Sequence, residues 1–454
     1  MDFREFLGLL ESAGNLESVT RQVDPCLELA ALVDQLGERP VQFFQVAGSP
    51  HTLVAGLCSS RDWMAAGLGV PKQRLLFALA RALRNPITPP LLEEVAGRPA
   101  PCHEVVRRDF DLRTLPILTH LPGDGGAYVT AGIAVVRDPK LGRNVSYHRL
   151  MRLDRKRFAI RIVKHRGTYM ALERAGGELD IAVCIGNSPA VLLAAAMSPA
   201  PGVDELSIAH ALTPTPLARC LTIDAEVPAG AEFVLEGRIT REMVDEGPFL
   251  DLTETMDIVR CQPVLEISCI THRHDAIYQA LLPGGLEHKL LMGIPREPTI
   301  YEQVNEVCRC TNVLLTPGGG SWLHGVVQIS KSTAEDGQLA IEAAFRGHSS
   351  LKHVLIVDDD IDIYDPSAVE WAVATRFQAD KDLAMLPDQP GSSLDPSSLR
   401  RPGHKSRTSK MGLDATIPWL KPTGELRTEE ERAAFRRVRY QAERTGSMAP
   451  QEPD

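Results

Sequence analysis

The sequence predicts an α/β (α+β) protein in three parts: a small N-terminal α/β unit over residues 1–115, a strand-rich unit over 116–300 and a C-terminal α/β domain over 301–454. Three observations predict it. The chain opens on an amphipathic helical pattern followed by mixed helix and strand signals. Its middle is dense in short β-favouring runs with few helical stretches. Its last part holds a continuous apolar run, Val354-Leu355-Ile356-Val357, that feeds a helix.

In order, Asp2 caps a helix whose apolar positions Phe3, Phe6, Leu9 and Leu10 recur at helical spacing, and Gly14-Asn15 stops it. Glu28 to Leu36 reads as a second helix, Val41 to Val46 as a strand and Arg74 to Leu83 as a third helix. Pro86, Pro89, Pro90, Pro99 and Pro101 then punctuate a linker, and the whole unit reads as scaffold. Gly132 to Arg137, Asn144 to Leu150, Phe158 to Lys164, Ile181 to Ile185, Phe233 to Ile239, Pro263 to His272 and Ala276 to Leu281 read as strands. One helix interrupts them, Pro189 to Met197, with Ser188 as its cap. Many strands with few helices suggest a barrel-like sheet around a ligand. Further on, the run Val354–Val357 ends in Asp358-Asp359-Asp360 before a helix from Pro366 to Arg376. That triplet suits a metal or phosphorylation site or, more plainly, strand-end acids beside a helix start. Gly318-Gly319-Gly320 lacks the following GK[ST] of a phosphate loop. Gly403 to Lys410 gathers basic residues, and Glu429 to Arg444 reads as a charged terminal helix.

Composition removes several classes. With 59 acidic and 49 basic residues the net charge is −10, which argues against nucleic acid as a partner. No apolar run approaches the roughly 18 residues of a membrane span, and the N-terminus lacks the basic start and apolar core of a signal peptide. Nine cysteines with no CxxC pair, the closest being Cys308 and Cys310, predict reduced thiols and a cytoplasmic protein.

The stretch 144–167 carries polar groups that a structural strand would avoid: Asn144, Arg149, Arg161, His165 and Arg166 stand among Val145, Tyr147, Ile160, Ile162 and Val163. On one regular strand Asn144 and Arg149, five apart, would face opposite sides, one towards an anion or metal and the other towards a substrate. Glu246 and Asp251 flank a Gly-Pro turn that, taken locally, reads first as an acidic surface turn.

Asn144-x4-Arg149, His165-Arg166-Gly167, Asp204-Glu205, Glu246-Gly-Pro-Phe-Leu-Asp251 and Lys410-Met-Gly-Leu-Asp-Ala-Thr416, in this order along nearly the whole chain, resemble the UbiD-type decarboxylases. The resemblance implies a central flavin-binding split β-barrel-like domain, a C-terminal oligomerisation domain and a homodimer or higher homo-oligomer. It also implies prenylated FMN made by a flavin prenyltransferase, with Mn²⁺ (or Mg²⁺) and K⁺. By it, Asn144, His165 and Glu205 hold the metal, an oxygen-rich set with one imidazole that suits such ions. Ser146, Tyr147, His148, Arg149, Arg161, Ile162, Val163, Arg166, Gly167 and Lys410 line the cofactor, and Arg149, Glu246 and Asp251 form the catalytic trio. Arginine grips a carboxylate bidentately, one acid holds the fork, and the other delivers a proton. Asp251 stands where many members carry glutamate. His288 and Arg296, eight apart, resemble a substrate-facing pair of furan-dicarboxylate decarboxylases; pairing of Arg296 with Glu297 or Glu302 is the competing account. The expectation is decarboxylation of a (hetero)aromatic acid, furan-2,5-dicarboxylate to furan-2-carboxylate first. Behind it stand hydroxybenzoate-type or polyprenyl-hydroxybenzoate substrates and a non-catalytic subunit of a larger assembly.

Overall fold

A computed structural model describes residues 1–92, 99–400 and 404–438. Helix Phe3–Ser12 opens with a capping box in which Asp2 accepts from the Glu5 N–H and Glu5 from the Asp2 N–H; it buries Phe3, Phe6, Leu7 and Leu10. A four-stranded sheet follows in the order Glu17–Val23, Val41–Val46, Thr52–Ala55, Ile277–Gln279. Its last member corresponds to the expected strand Ala276–Leu281. That strand pairs in parallel with Thr52–Ala55 rather than joining the central sheet, and so stitches the two parts together.

The central sheet has nine strands. Its path runs Tyr128–Val129, Leu150–Arg152, Arg157–Ile160, Arg260–His272, Phe233–Glu246, Leu179–Ile185, Ile133–Asp138, Gly142–Tyr147, and Val105–Arg107 pairs with Arg260–His272 off that path. Two strands consecutive in sequence, Gly142–Tyr147 and Leu150–Arg152, stand near opposite ends of the path, yet only His148 and Arg149 join them. A connection that short spans about 10 Å, so the sheet has to curl until its ends nearly meet. The result is a split barrel with His148-Arg149 across the seam. Alternating residues bury both faces. Ile133, Val135, Ala182 and Cys184 pack with helix Pro189–Ala195, whereas Ala134, Val136, Ile181 and Val183 pack with Phe158 and Leu265.

Two expectations fail here. Asn144 to Leu150 is not one strand, so the opposite-faces argument for Asn144 and Arg149 does not apply; the chain turns at His148-Arg149 to cross the seam. The strand expected over Phe158 to Lys164 leaves the ladder after Ile160, and the Ile162 N–H donates to the Gln262 side chain at 2.8 Å. Helices Gly167–Arg174 and Glu205–Leu212, both unforeseen, follow the two motifs assigned to the metal.

The C-terminal sheet runs Arg309–Leu315, His324–Ser330, His353–Asp358, Arg407–Asp414, Leu383–Pro390. The acidic triplet takes its plainer role: Arg376, fully buried on helix Pro366–Arg376, donates to Asp358 at 3.0 Å and to Asp360 at 2.7 Å. Among the described residues no three His, Cys, Asp or Glu side chains group as a metal site, and all nine cysteines are free. The terminal helix is shorter than expected, Glu429–Ala433, because the chain turns at Ala434. The remainder of that expected helix from residue 439, and Gly403 of the basic stretch, lie outside the described residues.

Candidate active site

The seam presents Arg149 to a set of acids. Glu246, the last residue of the longest strand and fully buried, takes the Nε and Nη2 hydrogens of Arg149 at 2.8 and 2.9 Å. Tyr128 donates its O–H to Glu246 Oε1 at 3.1 Å. The chain then reverses through Gly247, whose φ of +102° suits glycine. Strand Phe249–Leu250 follows and places Asp251 Oδ2 3.2 Å from Arg149 Nη1. Burial works against the Arg149 charge, but the Glu246 hydrogen bonds and the charges of Glu246, Asp251 and Asp257 outweigh it and hold the pKa above the usual arginine value. The three expected trio residues are thus brought together. A fourth acid that sequence reasoning missed, Asp257, accepts from Arg149 Nη2 at 3.1 Å and from Arg260 at 2.6 Å. Burial pushes the Asp257 pKa up, yet the Arg260 hydrogen bond and the charges of Arg149, Arg260 and Arg161 keep it below the usual carboxylate value. His288 sits within reach of the charges of Asp251 and Arg149; burial lowers its pKa, and its Nδ1 accepts from the Gly284 N–H at 3.0 Å.

On the other side of the seam, Asn144 and Ser146 share one face of strand Gly142–Tyr147 while Val145 and Tyr147 share the other. Tyr147 is therefore turned into the core, donating to the Leu192 carbonyl at 3.1 Å, and its side chain does not line the expected cofactor face. Ile162 is likewise a core residue, and Val163 is exposed. His148 donates from Nδ1 to the Arg161 carbonyl at 2.8 Å and meets Thr168 Oγ1 at 2.9 Å and Ser146 Oγ at 3.2 Å through Nε2. Burial keeps this ring neutral by lowering its pKa. Glu205, at the first turn of its helix, accepts from the Val145 N–H at 2.9 Å, beside Asn144. His165 has a φ of +63° and packs against Tyr169, and Gly167 lies so close that a Cβ there would sit 1.9 Å from Asn144 Oδ1. Among the described residues no hydrogen bond links His165 to Asn144 or Glu205. Glu205 meets the backbone next to Asn144, and Asn144 lies against Gly167, two residues after His165. Burial raises the Glu205 pKa to about 7 against the pull of the Val145 N–H, and a nearby cation would hold that carboxylate charged. The donor set fits a hard divalent ion.

A second cationic group lies further out. Arg296 stacks over Trp322 at 5.4 Å, and its buried Nε has no hydrogen-bond partner among the described residues. The neighbouring acids are engaged elsewhere: Glu297 gives its Oε1 to Arg61 and the Leu315 N–H, its Oε2 meeting no partner among the described residues, and Glu302 pairs with Arg84 at 2.6 Å. Burial and then the Arg166 charge push the Arg296 pKa down to about 10. His348 donates to the Trp322 carbonyl at 3.1 Å and is pushed to about 3 by burial, with the charges of Arg296, Lys410 and Arg166 adding to the effect. Burial alone takes Lys410 down to about 8. His348 thus feels the charges of Arg166, Arg296 and Lys410 together, and the unfilled Nε of Arg296 beside the Arg166 charge fits phosphate. His288 and Arg296, expected as a pair, divide between the two groups.

Family models described as the N-terminal, Rift-related and C-terminal domains of 3-octaprenyl-4-hydroxybenzoate carboxy-lyase (UbiD) match residues 7–83, 93–286 and 289–415. The anhydromevalonate phosphate decarboxylase of Methanosarcina mazei is 42% identical over 421 residues, spanning 92% of this chain and 96% of its own. The UbiD-class enzyme HmfF of Pelotomaculum thermopropionicum, solved with FMN, superposes with a TM-score of 0.87 at 42% identity, over 93% of this chain and 95% of that one. An evolved dimeric form of HmfF, solved with prFMN, gives 0.84 at 40% identity, over 92% and 95%. The relatives overturn the expectation of an aromatic or heteroaromatic acid, furan-2,5-dicarboxylate first among them. Five curated relatives at 37–42% identity are anhydromevalonate phosphate decarboxylases. A histidine and an arginine eight apart do not by themselves distinguish a ring carboxylate from another anion. No helix among the described residues is long and apolar enough to cross a membrane. The chain belongs to the UbiD family and is a carboxy-lyase.

Proposed function

We propose that this chain removes CO₂ from an unsaturated, phosphate-bearing carboxylic acid, with anhydromevalonate phosphate, named for its relatives, as the leading substrate. Loss of water from a hydroxy acid leaves a double bond, so that name denotes an unsaturated acid with a second, permanent anion. The observation that carries the reading is the unpaired Arg296 beside Arg166, standing apart from the acid-balanced Arg149. Two cationic groups of different character suit a substrate with two different anionic ends.

Prenylated FMN, when bound, supplies the electron sink for cleavage of the carbon–carbon bond. Asn144, His165 and Glu205 would hold Mn²⁺ or Mg²⁺, with K⁺ nearby, and Lys410, with Arg166, would neutralise the cofactor phosphate. Arg149 binds the substrate carboxylate through its N–H fork, held by Glu246 and Tyr128. Asp251, adjacent to that fork, takes up a proton from solvent and delivers it to the carbon that loses CO₂. His288, neutral through burial, faces the same acid. The reading extends to a homo-oligomer in the cytoplasm that receives its flavin from a prenyltransferase.

The test is CO₂ release by protein co-produced with a flavin prenyltransferase, comparing the phosphorylated acid with its dephosphorylated counterpart. Turnover of the phosphorylated acid is expected, with Arg296→Ala raising its KM about tenfold or more and leaving the dephosphorylated acid unaffected. Equal losses on both acids would sink the phosphate assignment.

A further inference from the structure

The Arg149 fork has two edges, and Glu246 fills one of them, taking Nε and Nη2 side-on. The end-on edge, Nη1 with Nη2, is the one left for a substrate carboxylate. It is capped by one oxygen from each of two aspartates, Asp251 at 3.2 Å from Nη1 and Asp257 at 3.1 Å from Nη2. Four of the five guanidinium hydrogens are therefore engaged before any acid arrives. A bidentate carboxylate needs two hydrogens, so it must displace at least one aspartate.

Among the described residues Asp251 has only the Leu252 N–H on its other oxygen, at 2.7 Å, whereas Asp257 has a second arginine at hand. Arg260 Nη2 donates to its Oδ1 at 2.6 Å and Arg260 Nε to its Oδ2 at 3.1 Å, and Arg161 Nε stands 4.0 Å from Oδ2. Oδ2, the oxygen that caps Arg149, is thus already shared with a second arginine. The strand pairing that sets Asp257 opposite Phe249, whose ring lies 5.0 Å from the Arg149 guanidinium, fixes the carboxylate at the edge of the fork.

We infer that Asp257 occupies the place of one substrate carboxylate oxygen in the resting enzyme, and that Arg260 keeps its charge paired once the substrate displaces it. The inference rests on Arg149 as the carboxylate-binding residue. Asp257 is then a positioning residue that acts through Arg149. It keeps the fork aimed and its charge balanced, and it makes acid binding an exchange of carboxylates rather than the burial of an extra charge. When CO₂ departs it carries no charge away, and Asp257 returns to the vacated edge.

The experiment is calorimetric binding of 3-methylbut-2-enoate to protein loaded with unmodified FMN, so that no turnover intervenes. Asp257→Asn removes the competitor and is expected to tighten binding about fivefold or more, whereas Arg260→Gln leaves Asp257 on Arg149 and weakens binding by a similar factor. Damage to the fold would move both variants towards weaker binding. If Arg260→Gln does not fold, Arg260→Lys retains a charge, removes the second hydrogen bond and carries the same expected direction. Unchanged or weaker binding by Asp257→Asn, with Arg149→Ala abolishing it, overturns the role of Asp257 alone. Binding that survives Arg149→Ala overturns the carboxylate reading beneath it, and with it the inference.

Discussion

Glu246→Gln tests the core of the site with a near-isosteric change. The amide can present its oxygen to one Arg149 hydrogen, at the 2.8 or the 2.9 Å position, but its NH₂ then faces the other donor. One charge-assisted bond is lost and a donor–donor contact replaces it. Around Arg149, the cations Arg149, Arg161 and Arg260 stand against Glu246, Asp251 and Asp257, so the variant also leaves three positive charges facing two negative ones. Removing one partner of a buried pair costs about 3–5 kcal/mol, part of it in folding stability. If about 3–4 kcal/mol of it falls on orientation of the fork, kcat/KM drops by about 10²–10³. Tyr128→Phe removes only the 3.1 Å bond to Glu246 and is expected to cost at most about tenfold. The assay is CO₂ release per bound flavin, with flavin occupancy read by absorbance. Glu246→Gln within about threefold of the parent at equal occupancy would refute the claim that this carboxylate sets the fork, as would a larger loss in Tyr128→Phe.

Three further outcomes are expected. Arg376→Met leaves Asp358 and Asp360 without their buried partner and lowers unfolding stability in urea by about 3–5 kcal/mol; a loss below about 1 kcal/mol would show that the triplet is solvated after all. Glu287 is buried against the N–H groups of Gly56 and Cys58, and burial outweighs those hydrogen bonds to raise its pKa to about 7. The folded state therefore holds a proton that the unfolded state gives up near pH 4.5, so this group's stabilisation is complete below that pH and lost as pH rises to about 7. Over that window the parent should lose up to about 3 kcal/mol relative to Glu287→Gln, and parallel stability–pH curves would exclude it. Gly167→Ala would drive a Cβ to 1.9 Å from Asn144 Oδ1 and push that amide away. A weakening of Mn²⁺ affinity by about tenfold, measured by metal titration, is expected, and unchanged affinity would take Asn144 out of the proposed metal set.

What could be read from the sequence was whatever local chemistry decides. Ser188-Pro189 and Asp365-Pro366 start helices where expected, because a cap and a first-turn proline act within a few residues. The trio of Arg149, Glu246 and Asp251 was legible from a resemblance in motif order, and the fold brings those side chains together. The break at His148-Arg149 was not legible: Tyr147 and Leu150 both favour strands, and only closure of the sheet separates them. Asp257 was hidden for a similar reason. It lies in a strand of two residues, and the partner that gives it meaning, Arg149, is reached through the barrel seam. The His288–Arg296 spacing suggested one shared surface. The helix Leu286–Gly293 and the turn Ile294–Arg296 that follows instead direct one residue towards Asp251 and the other towards Arg166.

The contrast between the two cationic groups follows from what each would hold on the proposed reading. A carboxylate that leaves as CO₂ takes its anion off the arginine in every turnover, since the electron pair stays on the carbon and is neutralised there by a proton. An arginine waiting for it without acids would alternate between a compensated and an uncompensated buried charge, at a cost of several kcal/mol. Arg149 avoids this through acids that remain: Glu246 permanently, and Asp251 and Asp257 at the exchangeable edge. A phosphate keeps its charge from binding to release, so the group that receives it needs no internal substitute. Arg296 has none among the described residues and tolerates the deficit against the face of Trp322, whereas Arg166 would share the cofactor phosphate. The argument yields a salt dependence. Raising ionic strength should weaken the phosphorylated acid more than the dephosphorylated one, because only the former engages an uncompensated cation. Equal salt slopes for the two acids would mean that Arg296 is neutralised by something other than the substrate.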